Sequence, residues 1–143
     1  MRTTNPLRAF LRDRRGASAV MMCVAMPILV GGAGLGAEAA FWKFRQRAIQ
    51  QQADAAAFAG ATELRNGGSD NQVRAAANGS LSSNGFRRDI GASEVQTPPI
   101  SGPFAGEEAV YVEAEENWPR YFPALFFQHA VTLRANATAE VQQ

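Results

Sequence analysis

Residues 16–37 read GASAVMMCVAMPILVGGAGLGA, and this uncharged, apolar run decides how the rest of the chain is interpreted. An α-helix needs about 20 such residues to cross the hydrocarbon core of a bilayer. Because lipid offers no hydrogen-bond partners, the backbone of a spanning segment has to pair with itself, as it does in a helix. The sequence therefore predicts a transmembrane helix over residues 16–42, with Pro27 as the point where it kinks.

Charges on either side of this run indicate its orientation. The first fifteen residues hold one acid, Asp13, and five basic residues: Arg2, Arg8, Arg12, Arg14 and Arg15. After the run come Glu38 and three basic residues: Lys43, Arg45 and Arg47. The larger basic excess lies at the N-terminus, so the positive-inside rule predicts a basic cytoplasmic tail over residues 1–15. Residues 43–143 then form an extracytoplasmic domain, periplasmic in a single-pass protein of the bacterial inner membrane.

This region has two other interpretations, of which the second stays open. A basic N-terminus also occurs in nucleic-acid-binding proteins, but only Phe10 interleaves with these arginines, so no nucleic-acid partner is expected. The segment Ala37-Glu38-Ala39 resembles a signal-peptidase site, and cleavage after Ala39 would release a soluble periplasmic binding or adhesin module. The apolar run is long for a signal peptide, which favours the anchor. The single cysteine, Cys23, lies inside the run, so an intrachain disulfide is excluded.

The residues after the run continue as a helix. Residues 38–65 contain no proline and are rich in alanine, glutamine and arginine, which favour helix. Steps of three and four residues place seven side chains on one apolar face: Phe41, Phe44, Ala48, Gln51, Ala55, Phe58 and Thr62. The Asn66-Gly67-Gly68 segment is expected to end this helix. Ser69 or Asp70 then caps a second helix over residues 71–78, with a turn-rich stretch after it.

In the C-terminal half the sequence period changes to two. Apolar and polar residues alternate over residues 110–115 and again over 131–141, and residues 93–97 fit a third strand. An antiparallel sheet of about three strands, packed on the long helix, gives an α+β fold. The aromatic segment before the last strand is either a packed loop or an exposed patch for a partner. It contains Trp118, Tyr121, Phe122, Phe126 and Phe127.

No motif in the sequence indicates catalysis or a cofactor. His129 is the only histidine, and the only cysteine lies in the apolar run, so a zinc site is not expected. The acids among residues 107–116 are interpreted as a solvated strand face, since their spacing does not match a calcium loop. No phosphate-binding glycine loop occurs. We therefore expect no enzyme, no cofactor, no metal and no small-molecule substrate.

Within the apolar run, Gly32 and Gly36 form a G-x-x-x-G step. This spacing lets two membrane helices approach closely, so the two glycines are candidates for helix–helix packing. Glycine-rich spans also contain the pattern by chance, and both interpretations stay open.

The first sixty residues resemble a known family. Arg15-Gly16 precedes the apolar run, Pro27 lies within it, Glu38 closes it, and Gly60-Ala61 follows a Gln-x-Ala-Asp-Ala-Ala helix. This order is similar to the N-terminal region of TadE/TadG-like proteins of the Tad (Flp) pilus assembly system. The helix motif corresponds to Gln51, Ala53, Asp54, Ala55 and Ala56. Past residue 61 the likeness is weaker, in a phenylalanine-rich loop followed by an alternating strand.

The resemblance implies a pilin-like fold and a structural, non-catalytic role in cell adhesion. The chain would be a membrane-anchored pilus assembly component or a minor pseudopilin, with the inner membrane and other assembly proteins or pilins as partners. Prepilin-type processing would cut between Gly16 and Ala17. Pilins carry a glutamate five residues after that glycine, whereas this chain has Met21. The chain is also too short for the von Willebrand-like domain of larger TadG-type members.

Overall fold

The computed structural model describes residues 14–121 and 130–141. Its elements are α1 (Arg14–Arg65), α2 (Asp70–Ser83), β1 (Gly91–Gln96), β2 (Ala109–Trp118) and β3 (Val131–Glu140). Two helices and a three-stranded antiparallel sheet give the α+β fold that the sequence predicts. The chain divides into two compact units after Ala39, three residues before the predicted domain boundary, and α1 contributes to both.

In the first unit, α1 carries large apolar side chains on all its sides. Those from Val20 to Leu35 are between 54% and 73% exposed, and the helix continues through Pro27. An apolar helix with no buried face matches a lipid environment better than water. Among the described residues, α1 is the one helix long and apolar enough to cross a membrane, and it lies near the N-terminus as in a single-pass membrane protein.

The second unit is built around the sheet, whose strand order is β1-β2-β3. Both pairings are antiparallel, and Val112 of β2 lies opposite Val95 on one side and Ala137 on the other. The core combines Ile49 and several alanines of α1 with side chains of α2 and the strands: Val73, Ala77, Leu81, Val110, Val112, Ala114, Leu133 and Ala135. A Cβ on Gly60 would lie 2.9 Å from Val110 Cγ1, so this glycine lets α1 approach β2 closely.

The apolar face of α1 predicted from Phe41 to Thr62 is not the buried one. Phe44 is 68% exposed and Phe58 is 71% exposed, while Ile49, Ala53 and Ala56 are fully buried. Apart from Ile49, the buried side chains of this part of α1 are small, and at Gly60 the helix approaches Val110 too closely for a larger residue. Phe44 and Phe58 are left on the outer side of the helix.

The end of α1 follows the sequence prediction. Gly67 has a positive φ of 82°, and its N–H donates to the Leu64 carbonyl at 2.9 Å. The Gly68 N–H donates to the Glu63 carbonyl at 3.0 Å. These two bonds form a Schellman motif, which satisfies carbonyls that the helix end leaves free.

Helix α2 is longer than predicted. Ser69 caps it, and its backbone N–H donates to Gln72 Oε1 at 2.8 Å. The helix then continues to Ser83 through the stretch expected to form turns, because Leu81 is fully buried in the core. The Ser82 and Ser83 hydroxyls donate to carbonyls four residues earlier, so these polar residues are satisfied within the helix.

The strands lie where the period of two predicted them, with shifted ends. Strand β1 begins two residues earlier than expected, at Gly91, and β2 extends to Trp118. Along β3, Leu133 and Ala135 are buried while Arg134 is exposed, as the alternation predicted. The prediction that the acids among residues 107–116 form a solvated face is wrong for Glu116, which is completely buried.

Candidate functional site

The most unusual feature of the second unit is a buried carboxylate at the end of β2. Alternation along the strand turns Val110, Val112, Ala114, Glu116 and Trp118 to the buried face. Glu116 therefore occupies a core position, with none of its side chain exposed. Burying a charge is costly unless it is paired and hydrogen-bonded, so its partners define a site.

Three donors from different parts of the chain surround Glu116. Arg45 Nη2 of α1 donates to Oε2 at 2.6 Å, and Trp118 Nε1 donates to the same oxygen at 2.7 Å. The backbone N–H of Arg87, in the α2–β1 connection, donates to Oε1 at 3.0 Å. The Arg45 side chain is 16% exposed, and its Nε has no hydrogen-bond partner among the described residues. A carboxylate that accepts hydrogen bonds from charged and neutral donors on both oxygens is held in one orientation.

Aromatic rings cover this ion pair. The Phe41 ring makes edge-to-face contacts with Trp42, Trp118 and Tyr121 at centroid distances of 5.2, 5.5 and 5.9 Å. The guanidinium of Arg45 lies 4.6 Å from the Trp118 ring centroid, a distance at which cation–π attraction is substantial. The cluster joins the beginning of α1 in this unit to the end of β2. It is a structural joint at the point where the chain enters the folded unit.

Two exposed or half-exposed sites have shifted acidities. The Arg87 guanidinium is hydrogen-bonded to Asp89, which lowers the pKa of that carboxyl and raises the pKa of Arg87. Burial raises the pKa of the Tyr111 phenol, and the Glu113 carboxylate that accepts its hydrogen bond at 3.0 Å adds to the shift. Each pair joins residues two positions apart in the chain.

Glutamines of α1 cover the free edge of β3. Gln46 Nε2 donates to the Arg134 carbonyl at 2.6 Å, and Gln50 Nε2 donates to the Asn136 carbonyl at 2.9 Å. Unpaired carbonyls along an edge strand invite pairing with another strand. These two side chains reduce that tendency, so this edge of the sheet is a poor docking site for a peptide strand.

The predicted helix-packing and processing residues lie in the first unit. Gly16 is exposed, and Ala17 follows it in the first turns of α1. A Cβ on Gly32 or Gly36 would meet no atom within 4 Å, so this face is open to a neighbouring helix. Cys23 is exposed on the same helix.

The family-motif residues lie on opposite sides of α1. Ala53 and Ala56 are fully buried, and Glu38 is buried as well. Gln51 and Asp54 are exposed, and Asp54 accepts a hydrogen bond from Gln50 Nε2 at 2.9 Å. The motif therefore places small residues against the sheet and polar residues outside.

The proposed partner loop is described only in part. Trp118 is the last residue of β2 and is buried, whereas Tyr121 is 61% exposed. Phe122, Phe126, Phe127 and His129 lie outside the described residues. Of the two interpretations of this loop, the buried Trp118 fits the packed one, because it belongs to the core.

Shallow depressions occur in the surface of the described part of the second unit. A groove of about 250 Å³ lies beside Phe58, lined by α1 and the end of β3, and one of about 160 Å³ lies near Pro98.

Across residues 14–121 and 130–141, no three His, Cys, Asp or Glu side chains are arranged to hold a metal ion.

The chain matches no family model, and comparisons with curated proteins and with solved structures likewise find no match. A function for this chain therefore has to be inferred from its own sequence and geometry.

Sequence reasoning missed the Arg45–Glu116 pair and the two edge-covering glutamines. One signal was present: Glu116 has the same parity as Val110, Val112 and Ala114, which marks an inward position. Its partner lies 71 residues away along the chain, a separation that no local pattern bridges.

Proposed function

We propose that this protein is a membrane-anchored, non-catalytic component of a Tad (Flp) pilus assembly system, either an assembly factor or a minor pseudopilin. The observation that carries the proposal is helix α1. Its first part is apolar on every side, and its later part packs one face against the sheet of a small α+β unit. That arrangement suits a chain held in the inner membrane, with a cytoplasmic N-terminus and a periplasmic domain that contacts other pilus proteins.

The order of motifs along α1 supports the same function. Arg15-Gly16, Pro27, Glu38, the Gln51–Ala56 motif and Gly60-Ala61 follow the pattern of TadE/TadG-like proteins. Gly60 and Ala53 sit where the helix meets the sheet, so part of the motif serves packing. The Glu116 carboxylate, which three donors from different parts of the chain hold in place, supports a structural role.

Deletion of the gene in the source bacterium tests this function. We expect loss of surface pili in electron micrographs and loss of surface attachment, both restored by the full chain. Residues 40–143 exported behind a cleavable signal should not restore them, because the anchor is missing. Normal piliation in the deletion strain would contradict the proposal.

A second function is favoured by one observation. The division between the two units falls after Ala39, where the small-x-small segment Ala37-Glu38-Ala39 ends. Cleavage there would release a soluble periplasmic binding or adhesin module. The intact mass of the membrane-extracted protein separates the possibilities. A start at Met1 supports a fixed anchor, a start at Ala17 supports a minor pseudopilin, and a start at Ala40 supports the released module.

A further inference from the structure

The outer face of α1 in the second unit carries apolar side chains that the fold does not use. The stripe comprises Phe44, Ala48, Gln51, Ala55, Phe58 and Thr62, and we call it the outer stripe. None of its members is buried, and both phenylalanines are more than two-thirds exposed. Exposed apolar side chains that share one helix face make that face a candidate for contact with a partner.

Lipid does not cover this stripe along its length. Phe58 lies 16 residues after Trp42, which corresponds to about 24 Å along a helix at 1.5 Å per residue. That distance exceeds the headgroup layer on one side of a bilayer, which is on the order of 5–8 Å thick. The far end of the outer stripe therefore faces water or a protein partner.

The spacing of the outer stripe fits another helix. Phe44, Gln51 and Phe58 recur every seven residues, and Ala48, Ala55 and Thr62 form the alternate positions of the same heptads. Small residues at one position and large ones at the other allow close packing of two helices. A groove of about 250 Å³ beside Phe58 leaves room for a side chain of the second helix.

We infer that the outer stripe docks against the outer stripe of a second copy of this chain, with the two helices parallel and in register. This docking depends on the membrane anchoring proposed above, because two copies inserted in the same direction present parallel helices. In register, each residue faces its own copy, so any charge in the stripe would meet a like charge. The six positions carry none, whereas Lys43, Arg47 and Asp54 all lie off the stripe.

Gln51 gives the pairing its register. It is the one amide in an otherwise apolar or hydroxyl-bearing stripe, and in the in-register dimer the two Gln51 amides meet and hydrogen-bond to each other. A single polar layer of this kind fixes alignment in coiled coils, because a shifted pairing leaves the amide facing an apolar residue. The second copy is therefore the partner whose chemistry matches this face at every position.

Disulfide mapping on the full chain in vesicles of phosphatidylethanolamine and phosphatidylglycerol tests the docking. Each variant carries Cys23→Ser and one new cysteine, Ala48→Cys or Ala55→Cys on the stripe, or Asp54→Cys as the matched exposed control, and Gln51 is kept in all of them. Disulfides require Cα atoms within about 7 Å, so oxidation should give covalent dimers at 48 and 55 at least tenfold faster than at 54. Equal rates at the three positions, or no dimer at any of them, would overturn the inference.

A charge variant separates loss of docking from loss of folding. Phe58→Asp, added to the Ala55→Cys chain, should lower dimer yield at least tenfold because two aspartates would face each other. Its far-UV circular dichroism should stay unchanged, since Phe58 is outside the core. Unchanged dimer yield would contradict the inference. Alkaline extraction of the same vesicles measures membrane anchoring independently of dimer formation. Protein that stays in the membrane without forming dimers contradicts the docking alone. Protein that is washed off contradicts the proposed anchor.

Discussion

The two parts of helix α1 have similar backbone structure and opposite surroundings. From Val20 to Leu35 every large apolar side chain is exposed, whereas from Ile49 to Ala61 one face is buried under the sheet. The first part is composed mainly of large apolar residues, glycine and alanine, and the second mainly of alanine and glutamine, with Asp54 as its one charged residue. The contrast shows that a single helix can expose apolar side chains on all sides in one part and pack a single face against a sheet in the next.

The largest effect is expected where the second part of α1 meets β2. Glu116→Ala removes the partner of Arg45 and of the Trp118 indole, and leaves a charge in a buried position. Breaking a buried pair by removing one member costs about 3–5 kcal/mol. We therefore expect the second unit to lose about that much unfolding free energy in urea, followed by circular dichroism in detergent.

The matched control is Glu113→Ala, on the same strand but on the opposite face. Glu113 is half-buried and accepts one bond, from Tyr111. Its loss should change stability by less than about 1 kcal/mol. Equal losses for the two variants would mean that the buried pair is not what joins α1 to the sheet.

The first part of α1 should respond to charge in a different way. Leu29→Lys puts an ammonium group in the middle of the apolar run, at a cost of about 2.5–3.5 kcal/mol for membrane insertion. The fraction of the protein that resists alkaline extraction should fall severalfold. Phe44→Lys, at a position as exposed as Leu29, should leave that fraction unchanged because residue 44 follows the apolar run. A similar fall for both variants would remove the distinction between the two parts.

A smaller effect on stability is expected from replacing a glycine of α1 by alanine. Gly60→Ala places a Cβ 2.9 Å from Val110 Cγ1, and overpacking of this kind costs about 1–3 kcal/mol. The gain in helix propensity offsets about 1 kcal/mol of that, so we expect a net loss of about 1 kcal/mol.

Two other glycines serve as controls in the same urea titration. Gly79→Ala, in α2, meets no neighbouring atom and should stabilise the second unit by up to about 1 kcal/mol. Gly32→Ala, in the apolar part of α1, should leave the second unit unchanged. A stabilising Gly60→Ala would show that α1 does not approach β2 as closely as the structure has it.

These contrasts also show what the sequence could and could not predict. The apolar run, the strands and the glycine that ends α1 were predictable, because each follows from local pattern or local backbone geometry. The buried face of α1 was not. Phe44 and Phe58 outweigh alanine on any hydrophobic scale, yet Ile49 and small residues form the buried face, and at Gly60 the helix approaches Val110 too closely for a larger side chain.

The candidate site was out of reach for a different reason. Glu116 is one of several nearby acids, and its burial depends on Arg45 from a distant part of the chain. The alternation along β2 predicts which face of the sheet Glu116 lies on. Only the tertiary fold supplies the cation and the indole that make burial of a carboxylate tolerable. Pairing of distant charges is a property of topology, which the local pattern does not encode.

The membrane role of the first part of α1 is tested most directly by labelling its native thiol. Cys23 is the only cysteine and is exposed on the helix surface, so a membrane-impermeant maleimide should react with it wherever water reaches it. In sealed native vesicles we expect no labelling of Cys23 until detergent is added, while Thr132→Cys in a Cys23→Ser background reacts whenever its side of the membrane is accessible. Full labelling of Cys23 without detergent would contradict a membrane-spanning helix.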